Sequence, residues 1–331
     1  MNSIINIILS TNPNLFFLKL LVILGIILAL VLIYKFTTPP THKVEGFTQK
    51  EPFVLKRDQE SFDTFYAEIY DELYDVPMRC KNELVQVLKN TEPSTNSSVF
   101  LDVGSGTGYV VNQLTEAGYE TYGIDKSKAM VDYSNEKYPE SEYKCGDVAD
   151  SMAFEKSTFT HVLCTNFTFY LFEDKRAFLS NCYFWMKPNA YLIIHLVDYD
   201  KFNIYQPNAT TPLANFPTLG KKPRTVDAMA EFYDYKYNAS YRFPNHKNSN
   251  GSPNKVTYEE KFIDNDTKHV RQNEQTLYMD DIDSIIGLAT KIGFSLKGKM
   301  NMAKVQKKPA IHLQNPYADE NQYLYIFERL M

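Results

Sequence analysis

Cysteine is scarce in this chain. Cys80, Cys145, Cys164 and Cys182 are the four in 331 residues. They are too few for a disulfide framework and show no paired metal-ligand spacing. Cys145 and Cys164 fall in runs that read as core strands, where a thiol acts as a small hydrophobe. A reducing compartment follows for the globular part. Histidine is equally thin: His42, His161, His195, His246, His269 and His312 are dispersed. No metal cluster and no nucleophile–base pair is legible among them, so no metal is expected. Excess positive charge is also missing. The formal net charge is -5, which argues against a nucleic-acid partner, because such proteins usually carry a basic surface. What remains is a chain 44% hydrophobic and 23% charged, able to bury a full core.

The most informative stretch is Val99 to Tyr109 (V-F-L-D-V-G-S-G-T-G-Y). An apolar run leads into Asp102 and reads as a buried parallel strand. Gly104, Gly106 and Gly108 then permit a sharp turn and a close approach of backbone to ligand. Tyr109 to Ala117 reads as a helix closed by Gly118. Strand, glycine turn and helix together form a nucleotide-type site at the carboxyl end of a strand. A second strand, Glu120 to Ile124, ends in Asp125, placed where an acidic residue takes the two hydroxyls of a ribose. Position 109 is Tyr, so the dinucleotide glycine spacing is absent. No Lys-Ser/Thr follows the glycines, which excludes a P-loop. Asp125 could instead cap the helix predicted over Ser127 to Lys137, and Asp147 could cap its own Gly-Asp turn.

The pattern D-x-G-x-G-x-G, followed by an acidic residue at the end of the next strand, resembles the class I S-adenosylmethionine-dependent methyltransferases. Asp125-Lys126-Ser127 leading to Met130, and Gly146-Asp147-Val148 after a third strand, extend the resemblance. So do a fourth strand, Thr158 to Cys164, followed by Thr165-Asn166-Phe167, and the turn Trp185-Met186-Lys187-Pro188-Asn189 before a fifth strand, Ala190 to Val197. The resemblance covers about Tyr66 to Leu330. It implies an α/β fold with a Rossmann-like seven-stranded, mostly parallel sheet ending in an antiparallel hairpin. It implies S-adenosyl-L-methionine as cofactor. Asp102 and the turn Gly104, Ser105, Gly106 and Gly108 would lie near its methionine part. Asp125 would take the ribose, with Lys126 beside it. Met130, Asp147 and Val148 would surround the adenine, and Asn166 would face the methyl group. Asn-Pro-Pro-Tyr or Asp-Pro-Pro-Tyr after the fourth strand is absent, which counts against adenine-N6 methylation of nucleic acid.

A long apolar run occupies the other end. Residues 1–14 form a tail, and Leu15 to Phe36 is about 22 residues with lysine only at 19 and 35, long enough to cross ~30 Å of hydrocarbon. Lys19 can snorkel to one interface, and Tyr34 with Lys35 suits the other. A signal peptide is disfavoured, because no Lys or Arg precedes the run and no small residues for cleavage follow it. Lys35, Lys43, Lys50, Lys56 and Arg57 flank the segment on one side only. The expectation is a single-pass membrane anchor with the globular domain in the cytosol. The triplets Asn208-Ala-Thr210 and Asn238-Ala-Ser240 would be glycosylated only in the opposite orientation.

Residues 37–57 read as a linker, stiffened by Pro39-Pro40, and 58–331 as the catalytic domain. Ser61 to Val76 reads as a helix with Phe62, Tyr66, Ile69, Tyr70 and Leu73 on one face. Its Tyr-Ala-Glu-x-Tyr-Asp is similar to the N-terminal segment of small-molecule methyltransferases, which implies substrate contact by Tyr66 or Tyr70. Residues 198–278 are the least family-like and read as an inserted lid. In it a hairpin pairs Lys255 to Ile263 with Thr267 to Tyr278 around the turn Asp264-Asn265-Asp266. Met279 to Ile292 reads as an amphipathic helix capped around Asp280, and the last two strands as Phe294 to Met300 and Gln322 to Glu328.

Methyl transfer from a sulfonium is an in-line displacement, in which the protein chiefly positions the nucleophile and excludes water. The expected acceptor is a small polar molecule, an amine. Phe167 and Tyr170 join Tyr66 and Tyr70 as substrate-binding candidates, with Tyr170 as the catalytic candidate that orients the acceptor. His195 lies inside a strand and reads as a core histidine. A lipid or quinone acceptor and a non-catalytic membrane-bound scaffold are the alternatives. The acceptor atom and the oligomeric state are not legible.

Overall fold

The computed structural model describes residues 16–37, 49–201, 227–232, 234–244, 254–302 and 321–331, with side chains of the first segment given for 17–30. The tail 1–14, most of the expected linker, Asn208 and much of residues 202–255 lie outside the described residues. The chain divides into two units, Met1–Lys43 and Val44–Met331.

In the first unit, helix α1 (Phe16–Thr37) has 22 residues. Its leucine-rich run holds no proline, and Gly25 is its weakest helix former. Side chains such as Phe17 and Leu21 are exposed. Among the described residues no helix is long and apolar enough to cross a membrane.

The second unit begins earlier than its composition suggests. Phe53–Arg57, expected within the linker, is strand β1 and pairs in parallel with a strand far along the chain. The helix expected over Ser61 to Val76 is broken. A 3-10 turn (Asp58–Ser61) precedes α2 (Thr64–Tyr74), and α3 (Val76–Thr91) follows. Asp63 caps α2 by accepting the Tyr66 amide at 3.3 Å, satisfying a donor that a helix start leaves orphaned. Asp75, with φ at 41°, ends α2 and redirects the chain, which is why one periodic run becomes two helices.

The strands of the main sheet are β2 (Val99–Val103), β3 (Glu120–Asp125), β4 (Glu142–Cys145), β5 (Phe159–Cys164) and β6 (Met186–Val197), the last beginning within the expected turn Trp185 to Asn189 and not at Ala190. Between them lie α4 (Tyr109–Glu116), α5 (Lys128–Lys137), the short α6 (Thr168–Leu171) and α7 (Lys175–Trp185). After β7 (Asp227–Glu231), β8 (Tyr235–Arg242), β9 (Asn254–Asp264) and β10 (Val270–Met279) come α8 (Ile282–Ile292), β11 (Phe294–Asn301) and β12 (Gln322–Arg329). Asp281, not Asp280, occupies the cap position of α8.

Seven strands run in the order β11-β12-β6-β5-β2-β3-β4. The β6 to β4 side is parallel, and β12 and β11 are antiparallel. Every residue of β2 is buried, as its unbroken apolar run requires between two covering layers. Strand β4 is the sheet edge, so Cys145, expected in the core, is exposed. Cys164, in the interior strand β5, is buried as expected.

The insertion is a second sheet, β1-β10-β9-β8-β7. Its hairpin register, Val270 opposite Ile263 to Met279 opposite Asn254, extends the predicted hairpin at its open end, and its second strand begins at Val270 and not at Thr267. The expected lid 198–278 therefore lacks a strand that residues 53–57 supply. Burial alternates cleanly along β10, the signature of a sheet with one covered face.

Candidate functional site

One cavity of about 480 Å³ opens where the carboxyl ends of β2, β3 and β5 face α2 and the second sheet. This is the crevice in which parallel α/β sheets hold ligands. Its floor comes from the glycine turn. The amides of Gly104 and Ser105 donate to Ile124 O at 2.8 and 3.1 Å, docking the turn on β3. Gly106 lines the cavity with φ at +52°, and nothing lies within 4 Å of the position a Cβ would take. A side chain there would enter the cavity, so the turn is a cradle that only glycine leaves open.

Asp125 stands at the end of β3, on the cavity wall. Its Oδ2 accepts the Gly106 amide at 2.9 Å and its Oδ1 accepts the Ser127 amide at 2.8 Å. Ser127, rather than Asp125, caps α5 by accepting the Met130 amide at 3.1 Å. Both carboxylate oxygens keep further lone pairs. Burial raises the Asp125 pKa, and the two backbone donors oppose that rise.

Met130, Asp147 and Val148 line the next part of the wall. Asp147 accepts from Lys126 at 2.8 Å and from the Ala149 amide at 2.9 Å. The lysine hydrogen bond, with the amide, holds its carboxyl below the usual range. Lys126 lines the cavity through this pair.

Beyond β5, Asn166 and Phe167 both adopt positive φ, 49° and 64°. Such backbone is uncommon outside glycine and clusters at functional sites. Here it turns both residues into the cavity wall. Asn166 Nδ2 donates to Tyr70 Oη at 2.7 Å. Tyr66 and Tyr70, as expected, line the cavity from α2, and Tyr74 joins them one turn later.

Four expected residues do not reach the cavity. Asp102, Ser105 and Gly108 lie behind the turn, outside the lining. Asp102 is buried, and that burial, with the Glu83 and Asp125 charges, pushes its carboxyl up to about 8. Tyr170 is fully buried, and its hydroxyl accepts the Val197 amide at 3.0 Å. An orienting hydroxyl must be open to the acceptor, so its position makes Tyr170 a core residue. Tyr170→Phe is expected to cost about 1–2 kcal/mol of stability by leaving the Val197 amide unpaired, and to change kcat by less than about threefold. A denaturant titration beside steady-state rates checks this. A hundredfold fall in kcat would restore the catalytic role. His195 is a core histidine as expected, held neutral by burial, which lowers it to about 4.

Sequence reasoning missed the far wall. Gln275, Leu277 and Tyr278 from β10, Tyr241 from β8 and Tyr258 from β9 line it. Their pairing partners are set by strand register, which local periodicity does not report. Tyr74 was within reach, since it follows Tyr70 at the i+4 spacing of the same stripe.

Segment 58–74 is tied to both sides of the cavity. Arg271 Nη1 donates to Asp63 at 2.9 Å, and its Nη2 donates to Ser61 O at 3.2 Å, fastening the segment to β10. Ser127 Oγ donates to Phe62 O, and Thr107 Oγ1 to Asp71, both at 2.5 Å, fastening it to the glycine turn and α5. The segment lines the site through Phe62, Tyr66, Tyr70 and Tyr74.

A family model described as a methyltransferase domain matches residues 101–194, from β2 to β6. Residues 101–194 are thus similar to a methyltransferase domain. S-Adenosylmethionine is its methyl donor. The chain is 29% identical over 114 residues to a phosphoethanolamine N-methyltransferase of Plasmodium falciparum, covering 33% of this chain and 42% of that protein. It is 31% identical over 74 residues to the biotin biosynthesis bifunctional protein BioHC of Cellvibrio japonicus, 22% of this chain and 14% of that protein. The chain thus spans less than half the length of either relative. A solved S-adenosylmethionine-dependent methyltransferase from Clostridium acetobutylicum superposes with a TM-score of 0.56 at 13% identity, over 80% of this chain and 98% of that one. That likeness, over 80% of this chain, extends the shared fold beyond the matched segment.

The methyltransferase domain fits its cofactor by the open cradle at Gly106, the acidic residue with spare lone pairs at the end of β3, and the apolar wall of Met130 and Val148. No group of three or more metal-ligating side chains occurs among the described residues.

Proposed function

We propose that this chain transfers a methyl group from S-adenosylmethionine to a small polar acceptor, an amine, while anchored to a membrane by α1. The observation that carries this reading is that the glycine turn, Asp125, Asn166 and the tyrosines of α2 line one cavity. The sulfonium supplies an electrophilic methyl group and a good leaving group. The chain then has to hold the acceptor in line and keep water out, tasks for which segment 58–74 is placed. In this reading Asp125 accepts from the ribose hydroxyls, Met130, Asp147 and Val148 surround the adenine, and Asn166 and Phe167 face the methyl group. The partial match to a phosphoethanolamine N-methyltransferase supports an amine acceptor.

The anchor rests on length and composition. The run Leu15 to Phe36, about 22 residues, would as a continuous helix at ~1.5 Å per residue match the ~30 Å of a hydrocarbon core. The cations on one flank support a globular domain on the cytosolic side.

The test is transfer of labelled methyl from S-adenosylmethionine by the purified full chain. Small primary amines are expected to accept it. Label appearing only in membrane lipid or quinone extract would sink the amine reading. Alkaline extraction of membranes should leave the chain in the pellet, and its release to the supernatant would reject the anchor.

A further inference from the structure

The inward row of β9 contains one residue out of character. Val256, Tyr258 and Phe262 are buried at every second position, and Glu260, between them, is fully buried too. A carboxylate taken out of water is expensive unless its oxygens are satisfied. Four tyrosines from three elements converge on it. Tyr66 of α2 donates to Oε2 at 2.8 Å, and Tyr74 of α2 and Tyr237 of β8 donate to Oε1 at 2.9 and 2.7 Å. Tyr258 Oη lies 3.3 Å from Oε1 and within 3.0 Å of the Tyr74 and Tyr237 hydroxyls. The neighbouring Glu259 pairs with Arg242 and Lys261. Among the described residues no such ion pair with Glu260 is found.

Each tyrosine hydroxyl owns one hydrogen. These hydrogens are directed into the cluster, toward Glu260 or toward a neighbouring hydroxyl. Tyr66, Tyr74 and Tyr258 also line the cavity, beside Tyr241. The wall they present to a ligand is therefore made of oxygen lone pairs and ring faces, with a negative charge behind them. That combination is poor for a hydrogen-bond acceptor or an anion. It is complementary to a cation, which rings attract through their quadrupole and the carboxylate attracts directly.

We infer that the Glu260–tyrosine cluster is the subsite that selects an ammonium-bearing acceptor, with Glu260 as its counter-charge. This rests on the methyltransferase reading and narrows it to a substrate with a cationic group beside the methylated nitrogen, which itself attacks as the neutral amine and takes over the positive charge as the sulfonium becomes a thioether. Glu260 becomes a specificity residue acting through Tyr66, Tyr74 and Tyr258. A purely structural cluster would satisfy the same hydrogen bonds but would not discriminate between ligands by charge.

The test uses two probes of nearly identical shape, choline and its uncharged isostere 3,3-dimethylbutan-1-ol. Each is titrated calorimetrically into the full chain in detergent, loaded with S-adenosylhomocysteine. Choline is expected to bind at least about tenfold tighter than the alcohol. Glu260→Gln should bring the two within about threefold of each other, with S-adenosylhomocysteine affinity unchanged. Tyr258→Phe, a gentler change, should lower the preference by about threefold. The wild-type chain supplies an independent arm. Burial raises the Glu260 pKa above the ordinary glutamate value. As pH falls through that raised pKa the carboxylate is neutralised, so choline binding should weaken while binding of the alcohol stays constant. Equal binding of the two probes, or binding of neither, by a chain that holds S-adenosylhomocysteine overturns the inference alone. Failure to hold S-adenosylhomocysteine overturns the methyltransferase reading and this inference with it.

Discussion

Asp125→Ala weakens S-adenosylhomocysteine binding by about a hundredfold or more, equivalent to roughly 2.7 kcal/mol. Two losses add. The first is the acceptor pair offered to the ribose hydroxyls, each charged hydrogen bond being worth about 1.5–3 kcal/mol. The second is the shape of the cradle itself. Asp125 holds the amides of Gly106 and Ser127, and without it both are left without that acceptor and the turn loosens. Lys126→Ala is the contrast. Its bridge to Asp147 is exposed, with side chains 59% and 42% accessible. Such a pair contributes about 0–1 kcal/mol, so affinity should fall less than about fivefold. Calorimetric titration of the two variants beside the wild-type chain decides the matter. An Asp125→Ala affinity within threefold of wild type would mean that the ribose is held elsewhere.

Gly108→Ala is expected to lose about 3–5 kcal/mol of stability, close to the whole reserve of many domains. Gly108 precedes α4 with φ at +82°, a region that costs an L residue about 1–2 kcal/mol. Its new Cβ would also lie 2.6 Å from Ser134 Cβ and 2.7 Å from the Tyr143 ring. Neither neighbour can step aside. Ser134 is fully buried and its hydroxyl donates to Met130 O at 2.9 Å, while Tyr143 donates to Gly108 O at 2.9 Å. Gly106→Ala separates folding from binding. It has a positive φ but open space around the Cβ, so it should cost only about 1–2 kcal/mol and still obstruct the cofactor. Guanidinium unfolding midpoints for both variants, with S-adenosylhomocysteine affinity for the second, test the pair. A Gly108→Ala chain as stable as wild type would contradict the packing described around α5.

The two predictions differ in how far local sequence reaches. The glycine turn and Asp125 were legible because each is set by its own strand–turn–helix unit, and Met130, Asp147, Asn166 and Phe167 were implied by the family resemblance at the ends of the next strands. Those spacings are local, so chain order alone brings them to one edge of the sheet. Tyr170 was misplaced for a related reason. Its position after β5 indicates nearness to the site, yet one turn of helix decides whether a side chain faces the cavity or the core, and here the Val197 amide holds it in the core. Strand β1 was read as linker because five residues of mixed character, F-V-L-K-R, carry no periodic signal strong enough to mark a strand. Its partner, Val270–Glu274, lies about two hundred residues away. Cys145 was read as core because a strand's place at the edge of a sheet is a property of the sheet and not of the strand.

By itself the sequence determined the α/β class, the order of the main-sheet strands, the cofactor turn and the apolar helix at the amino-terminal end. These follow from short-range patterns: the two- and three-to-four-residue periods, glycine where a side chain would obstruct, and acid at strand ends. Tertiary structure alone decided the far wall of the cavity. There the register of β8, β9 and β10 brings Tyr237, Tyr258 and Glu260 to the tyrosines of α2. A lone glutamate in an apolar row has no local signature of function. Its meaning arises only when distant segments surround it with hydroxyl donors and burial removes the water that would otherwise screen its charge.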